Sequence, residues 1–258
     1  MTLTNEVIDL NADAGESFGP WSMGRDEELF KELTSVNLAC GFHAGDPVVM
    51  LEAIARAAQL GVAVGAHPGY PDLVGFGRRH LAMSGEELYA AVVYQVGALR
   101  TMLQMQGLRL HHVKAHGALY LQMTRDDTTA RAVAKAVSAA APEAPLVVLG
   151  GPGGEKMRAA AQEYGLRYVN EAFPDRGYAS SGHLLPRSHE AALVLDAARA
   201  AERAVAMVRE GRVEAWDGGW AEIEAETLCI HGDNAEAVEI AGAVRRALEA
   251  SGVKVRAF

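Results

Sequence analysis

Cysteine is scarce in this chain. Two residues in 258, Cys40 and Cys229, are too few for a disulfide framework, and they do not form a CxxC pair. Each lies in an apolar run, so a buried, inert thiol is the expected state. Basic charge is also in short supply: 24 Lys and Arg stand against 33 Asp and Glu, a net charge of −9. The cations are scattered rather than gathered into a stripe, which argues against a nucleic-acid partner. No apolar stretch approaches the length that spans a bilayer, which argues against a membrane partner. The opening MTLTNEVIDLNAD is acidic and lacks the apolar core of a signal peptide. A cytoplasmic location is therefore expected. There is no P-loop, no glycine fingerprint after the first strand, and no HExxH pair. Gly and Pro form no linker, and neither repeats nor low-complexity runs occur. The chain, half hydrophobic, is expected to form one domain over residues 1–258.

What is present is an alternation of short β-rich runs and longer helical ones. Strands are expected at Val7–Leu10, Ser35–Cys40, Val62–Val64, His112–Lys114, Leu146–Leu149, Arg167–Val169 and Thr227–Ile230, with a short last run at Val253–Val255. Between them the spacing predicts helices over Arg25–Leu33, from Pro47 behind an Asp46 cap, from Ser84 with Glu87 as a capping box, and in an Ala-rich segment ending near Ala141. Further helices are expected over Glu155–Tyr164, His189–Glu210 and Ala235–Ala250. Val48, Leu51, Ala55 and Ala58 read as one apolar stripe, and Leu88, Val92, Val96, Leu99 and Leu103 as another. Sustained strand–helix alternation implies parallel strands with right-handed crossovers. A (β/α) barrel of about seven parallel strands fits better than an open Rossmann sheet.

The polar residues follow the strands. Asp13 and Glu16 come after the first, His43 and Asp46 after the second, His67 after the third. Lys114 and His116 end the fourth, Gly150–Gly154 follow the fifth, Glu171, Asp175 and Arg176 the sixth, and His231 and Asp233 the seventh. In a parallel barrel these ends share one rim, where such folds place their active sites. Asp13, His43 and His67 can hold a divalent ion or share acid–base work. A strand-end lysine such as Lys114 needs an anion, either a substrate or phosphate group or an internal acid. The GGPGGEK run, with Gly151, Gly153 and Gly154, is either a phosphate-binding turn or a plain βα turn. Arg176 can grip a carboxylate with two parallel bonds or stand as a surface pair with Asp175. Glu16, Asp46, His231 and Asp233 are read as substrate-binding groups on the same rim. The long segment GYPDLVGFGRRHLAMS after His67 suits a lid.

Six stretches carry a resemblance: DLNADAGESFG, SVNLACGFHAGDP, GAHPGYPDLVGFGRR, HVKAHGALY, EAFPDRGY and CIHGDN. In this order they resemble the LamB/YcsF family, whose members act as the A subunit of the bacterial ATP-dependent 5-oxoprolinase. Ala115 stands where the family usually has proline, and Pro174 where alanine is common. The resemblance implies a barrel related to the glycoside hydrolase/deacetylase group. It also implies conversion of 5-oxoproline to L-glutamate with two partner subunits and ATP as co-substrate with Mg²⁺; with that ATP-coupled reaction and no HExxH pair, no tightly bound metal is expected. On that chemistry Asp13, assisted by His43 or His67, is the expected base. Lys114 and His116 would stabilise phosphoryl charge, and Arg176 would hold the substrate carboxylate. The alternatives are a metal-dependent deacetylase-like hydrolase using Asp13, His43 and His67, and a non-catalytic subunit that presents substrate to its partners.

Overall fold

The computed structural model describes residues 6–233 and 235–258. Residues 1–5, part of the N-terminal reading, and Asn234, the last residue of CIHGDN, lie outside them. The elements run β1 (Val7–Ala14), α1 (Asp26–Leu29), β2 (Ser35–Ala39), α2 (Pro47–Leu60), β3 (Ala63–His67) and α3 (Gly85–Met105). Then come α4 (Gly117–Met123), α5 (Asp127–Ala140), β4 (Leu146–Leu149), α6 (Glu155–Glu163), β5 (Tyr168–Ala172) and α7 (Ala197–Glu210). A hairpin of β6 (Arg212–Glu214) and β7 (Trp220–Glu222) precedes β8 (Thr227–Ile230), α8 (Ala237–Ala250) and β9 (Lys254–Val255).

The sheet order is β3-β2-β1-β8-β5-β4, all parallel. Its two ends are joined by Val113, which bridges in parallel to Ala66 of β3 and to Leu146 of β4. The ring is a closed α/β barrel of seven staves, the fourth shortened to a single bridging residue. His112–Lys114, expected as a strand, is that stave, and backbone bonds from Lys114 N–H to Ala66 and from Val113 N–H to Pro145 hold it in place. The last run does not close the barrel: β9 pairs only with the start of β1, Val7 opposite Lys254.

β1 explains why the interior is polar. Its sequence VIDLNADA alternates, so Ile8, Leu10, Ala12 and Ala14 face the helices while Asp9, Asn11 and Asp13 face inward. Inside, Asn37 Nδ2–H donates to Asn11 at 2.7 Å and to Asp13 at 2.9 Å, and Asn11 donates to Thr227 at 2.6 Å. Ser35 and Thr34 hydroxyls donate to Asp9 at 2.8 and 2.6 Å. These β1 side chains are tolerated inside because each finds a partner, and the network fixes the register of the strands that carry it.

Several boundaries differ from the sequence reading. β1 runs four residues beyond Leu10 because its inward polar residues are bonded across the barrel rather than solvated. The helix expected over Arg25–Leu33 shrinks to α1 and a 3₁₀ turn at Phe30–Glu32. The helix expected from His189 begins at Ala197, where the Asp196 side chain caps the Arg199 N–H. Asp46 caps α2 as expected, but the buried face of that helix is Met50, Ala53, Ile54 and Ala57; Val48 and Leu51 are exposed. The misread stripe sits one ridge round, because an alanine-rich helix offers two apolar faces of equal merit. α3 has its capping box and buries the predicted face.

Candidate active site

The C-terminal strand ends form the floor of a cleft of about 340 Å³. Asp13, Glu16, Lys114, His116, Arg176, His231 and Asp233 line it. His43 and His67 lie just beneath, fully buried against His116. Asp46 and the glycines 151, 153 and 154 are not among its lining residues.

Lys114 is at the centre. Its Nζ lies 2.8 Å from Asp13 Oδ1, 2.9 Å from Glu171 Oε1 and 3.0 Å from Cys229 Sγ. Three contacts use the three protons of the ammonium. Of the two partners the sequence left open, an internal acid is the one found, doubled. Burial alone would lower the Lys114 pKa, but Asp13, Cys229 and Glu171 outweigh it and hold it well above the usual lysine value. Burial would likewise raise Asp13, yet His67 and Lys114 keep its carboxyl well below the usual range. Asp13 is thus an ionised acceptor at the cleft floor, with Oδ2 3.3 Å from His67 Nε2.

The second group is histidine-rich. His67 Nδ1 is 2.8 Å from the Lys114 carbonyl, and His116 Nε2 is 2.8 Å from the Phe76 carbonyl. The facing nitrogens, His67 Nε2 and His116 Nδ1, are 3.0 Å apart. His43 stacks on His116, with ring centroids 3.7 Å apart. Glu16 Oε1 lies 3.6 Å from both His43 Nε2 and His116 Nδ1. Burial and neighbouring imidazoles push His43 and His116 well below the usual histidine value. Burial, with the charges of Asp13 and Asp233, pushes Glu16 well above the usual glutamate value. The segment after His67 packs against this group, and its Phe76 supplies the carbonyl that holds His116.

A third pair stands opposite. His231 Nδ1–H donates to Asp175 Oδ2 at 2.8 Å, and the His231 backbone N–H donates to the same oxygen at 3.0 Å. In the neutral ring this leaves the lone pair on Nε2, the tautomer of an oriented general base.

Other sequence candidates are engaged elsewhere. Asp46 spends one oxygen on the Val48 and Val49 N–H groups and the other on Gly19. Arg176 Nε–H and Nη2–H donate to the carbonyls of Ala192 and Leu185, at 3.0 and 2.7 Å, so its fork holds a loop rather than standing free for a carboxylate. At the GGPGGEK turn, a Cβ on Gly153 would lie 2.6 Å from the Gly182 carbonyl oxygen. Cβ atoms on Gly151 and Gly154 would collide with the carbonyls of Glu222 and Leu149. Close backbone packing accounts for these glycines, and the atoms facing them are acceptors, which repel phosphate.

Sequence reasoning read Cys229 only as a buried, inert thiol and gave Glu171 no role. It also missed Arg78, Arg125 and Arg187, which line the cleft. Arg78 is paired with Asp233. The thiols have a testable consequence. Burial pushes Cys40 up to about 12 and Cys229 well above the usual thiol value. A disulfide reagent at pH 8 is expected to modify less than about a tenth of either in the folded protein and both after denaturation. Rapid native labelling of Cys229 would refute its burial beneath Lys114.

Among the described residues, no helix is long and apolar enough to cross a membrane. The model of the LamB/YcsF family matches residues 8–258. The chain is 59% identical over 251 residues to the A subunit of 5-oxoprolinase from Thermus thermophilus, covering 97% of this chain and 99% of that one. It is 46% identical to the protein of the same name from Pyrococcus furiosus, covering 96% of each. Among solved structures it resembles the lactam utilization protein from a second strain of Thermus thermophilus, with a TM-score of 0.92 and 57% identity over 98% of this chain and 100% of that one. A match over nearly all of both chains has one meaning: the chain belongs to the LamB/YcsF family.

Proposed function

We propose that this chain is the A subunit of an ATP-dependent 5-oxoprolinase and works in the cytoplasm with two partner subunits to open 5-oxoproline to L-glutamate. One observation supports this best: the cleft sets an ionised Asp13 and the His231–Asp175 pair against a rim of arginines. Its volume is at the lower end of the roughly 300–1,000 Å³ usual for small-molecule sites. A small cyclic amino acid suits it.

A five-membered lactam is a poor electrophile. Phosphoryl transfer from ATP, accompanied by Mg²⁺, to the amide oxygen releases ADP and, with loss of the lactam N–H proton, opens the ring carbon to water. The adduct then breaks its C–N bond, the nitrogen leaving as the protonated amine, and hydrolysis of the resulting acyl phosphate gives L-glutamate and phosphate. Asp13 accepts the lactam N–H, held in place by Asn37, Lys114 and His67. His231 is positioned to take the proton of the attacking water through Nε2 while Asp175 steadies the imidazolium. Lys114 keeps Asp13 charged and counters the burial that raises Glu171, rather than touching phosphate itself. Arg125 and Arg187 at the cleft wall are the groups for the phosphoryl and carboxylate charges. The chain has no P-loop, and a phosphorylated lactam is lost to water unless it passes on within a complex.

Glutamate release with ATP, measured for the chain alone and with its two partners, tests the reading. The chain alone is expected to fold yet turn over little or nothing, and the complex to turn over fully. Asp13→Asn in the complex is expected to lower kcat by at least about 10²-fold, with assembly intact by size exclusion. Complete turnover by the isolated chain, or unchanged turnover with Asp13→Asn, would overturn it. ATP-independent hydrolysis that needs a metal would favour the deacetylase-like alternative.

A further inference from the structure

We infer that Glu16, His43, His67 and His116 form a binding site for one divalent first-row transition ion of the zinc type. The inference rests on the donor atoms alone and holds whatever the substrate.

The tautomers come first. A carbonyl oxygen can only accept, so His67 must carry its proton on Nδ1, facing Lys114 O, and His116 on Nε2, facing Phe76 O. The two nitrogens left over, 3.0 Å apart, then point lone pairs at each other. Two acceptors at that distance repel unless a cation or an extra proton lies between them. Histidines that hold metals are oriented in this way, by giving the other ring N–H to a backbone carbonyl.

Unsatisfied atoms supply the second observation. Glu16 Oε1 and both ring nitrogens of His43 are buried without a hydrogen-bond partner. His43 is 1% exposed and Glu16 6%. Leaving such atoms unpaired is costly, and a shared cation would satisfy the carboxylate oxygen and one nitrogen at once.

Spacing is the third. One donor atom from each of the four residues lies within 4.8 Å of all the others. The close pairs are 3.0, 3.6 and 3.6 Å. Donors about 2.0–2.2 Å from a common tetrahedral ion sit roughly 3.3–3.6 Å apart. Three imidazoles and one carboxylate suit zinc better than Mg²⁺ or Ca²⁺, which prefer oxygen. The shell is also built to fit: a Cβ on Gly77, whose φ is +61°, would lie 2.8 Å from His116 Cδ2 and 2.9 Å from His43 Cβ.

Glu16, His67 and His116 are the fixed ligands. His43 lies parallel to His116, so the two rings do not focus on one point, and His43 joins by tilting. Glu16 and His116 also line the cleft, which puts the ion where a substrate oxygen can reach it. The expectation of no tightly bound metal came from the lack of an HExxH pair and from the ATP-coupled reaction that the resemblance implies; here each ligand comes from a different strand end, a pattern that leaves no short signature.

The test uses the full chain stripped with a chelator and then dialysed. Zn²⁺ alone is titrated by calorimetry, and Co²⁺ alone by its visible d–d bands. One ion per chain is expected, with a tetrahedral or five-coordinate Co²⁺ spectrum. His116→Gln and Glu16→Gln are each expected to weaken binding at least about 100-fold, while His183→Gln leaves it unchanged. Circular dichroism shows which variants remain folded, and two independent ligand variants guard against one failing to fold. Absence of stoichiometric binding to the folded wild type, or binding unchanged in both folded variants, overturns the site and leaves a shared proton between His67 and His116.

Discussion

Lys114→Met is expected to cost about 3–5 kcal/mol of stability at pH 7, because it strands two buried carboxylates. For a chain of this size that lowers Tm by roughly 10 °C. Asp13 Oδ1 and Glu171 Oε1 lie 2.8 and 2.9 Å from the lost ammonium and would face each other across an apolar methionine. The loss has a defined pH dependence. In the wild type, Asp13 is held low, so its contribution to stability is present above the unfolded value near 3.8 and is lost as pH falls through the lower folded value. Lys114 is held high, and its contribution is lost only as pH rises through a value above 10.5. Without Lys114 both carboxyls titrate upward and can become neutral. The gap between variant and wild type should therefore narrow as pH is lowered from 7 to 5. Lys114→Met with Glu171→Gln should recover part of the deficit at pH 7, since only one charge stays stranded. Melts across that pH range check both statements; a gap that is constant with pH would mean the ammonium's charge is not what matters. Turnover of the complex should fall by at least about 10²-fold, as Asp13 loses its ionised state.

The second large effect is expected at Gly150. It follows β4, and its N–H donates to the Glu171 carbonyl at 2.8 Å. A Cβ there would run into the Glu224 carbonyl oxygen and sit 3.1 Å from that of Glu171. Neither atom can rotate away, because both belong to backbone. Gly150→Ala is expected to cost about 3 kcal/mol or more, the upper part of the range for forced overpacking. It should also displace Glu171 from Lys114, so turnover falls together with Tm. Gly85→Ala is the control: nothing lies within 4 Å of the new methyl group, and the position opens α3. That change is expected to stabilise by about 0.5 kcal/mol. A Gly150→Ala protein with wild-type Tm but weakened nucleotide affinity would restore the phosphate-binding reading of the turn.

The contrast between these two glycines shows what can be read from a linear chain. Strand existence and the shared rim were legible, because polar residues after each of seven apolar runs mean one thing in a parallel barrel. Asp13, Lys114, His116 and His231 were found that way. The capping signals at Asp46 and Ser84 were legible too, since they act over a few residues. Direction and engagement were not. Nothing local says that Arg176 points its fork into its own loop at Ala192 and Leu185, or that Asp46 has no oxygen left after its cap. Glu171 passed without a role because its importance depends on Lys114, 57 positions away. His43 and His67 were grouped with Asp13, but His116 was set apart from them for the same reason. His231 was noted, but its tautomer is set by Asp175, which only the folded chain brings near.

Barrel closure bears on synthesis as well as on the finished protein. β1 is made first, yet its neighbour on one side, β8, is among the last strands to appear. While the chain emerges, β1 has a bare edge beside β2, the kind of edge that recruits other chains. Its inward face carries Asp9, Asn11 and Asp13 instead of valine or isoleucine. On an uncovered edge those side chains oppose sheet-to-sheet stacking, and two of them bear charge. They lose that role when Thr227 reaches Asp9 and Asn11 and the interior seals. The residues that make the centre polar for chemistry thus also protect the nascent strand, so replacing Asp9 or Asp13 should lower soluble yield even where the folded barrel tolerates the change.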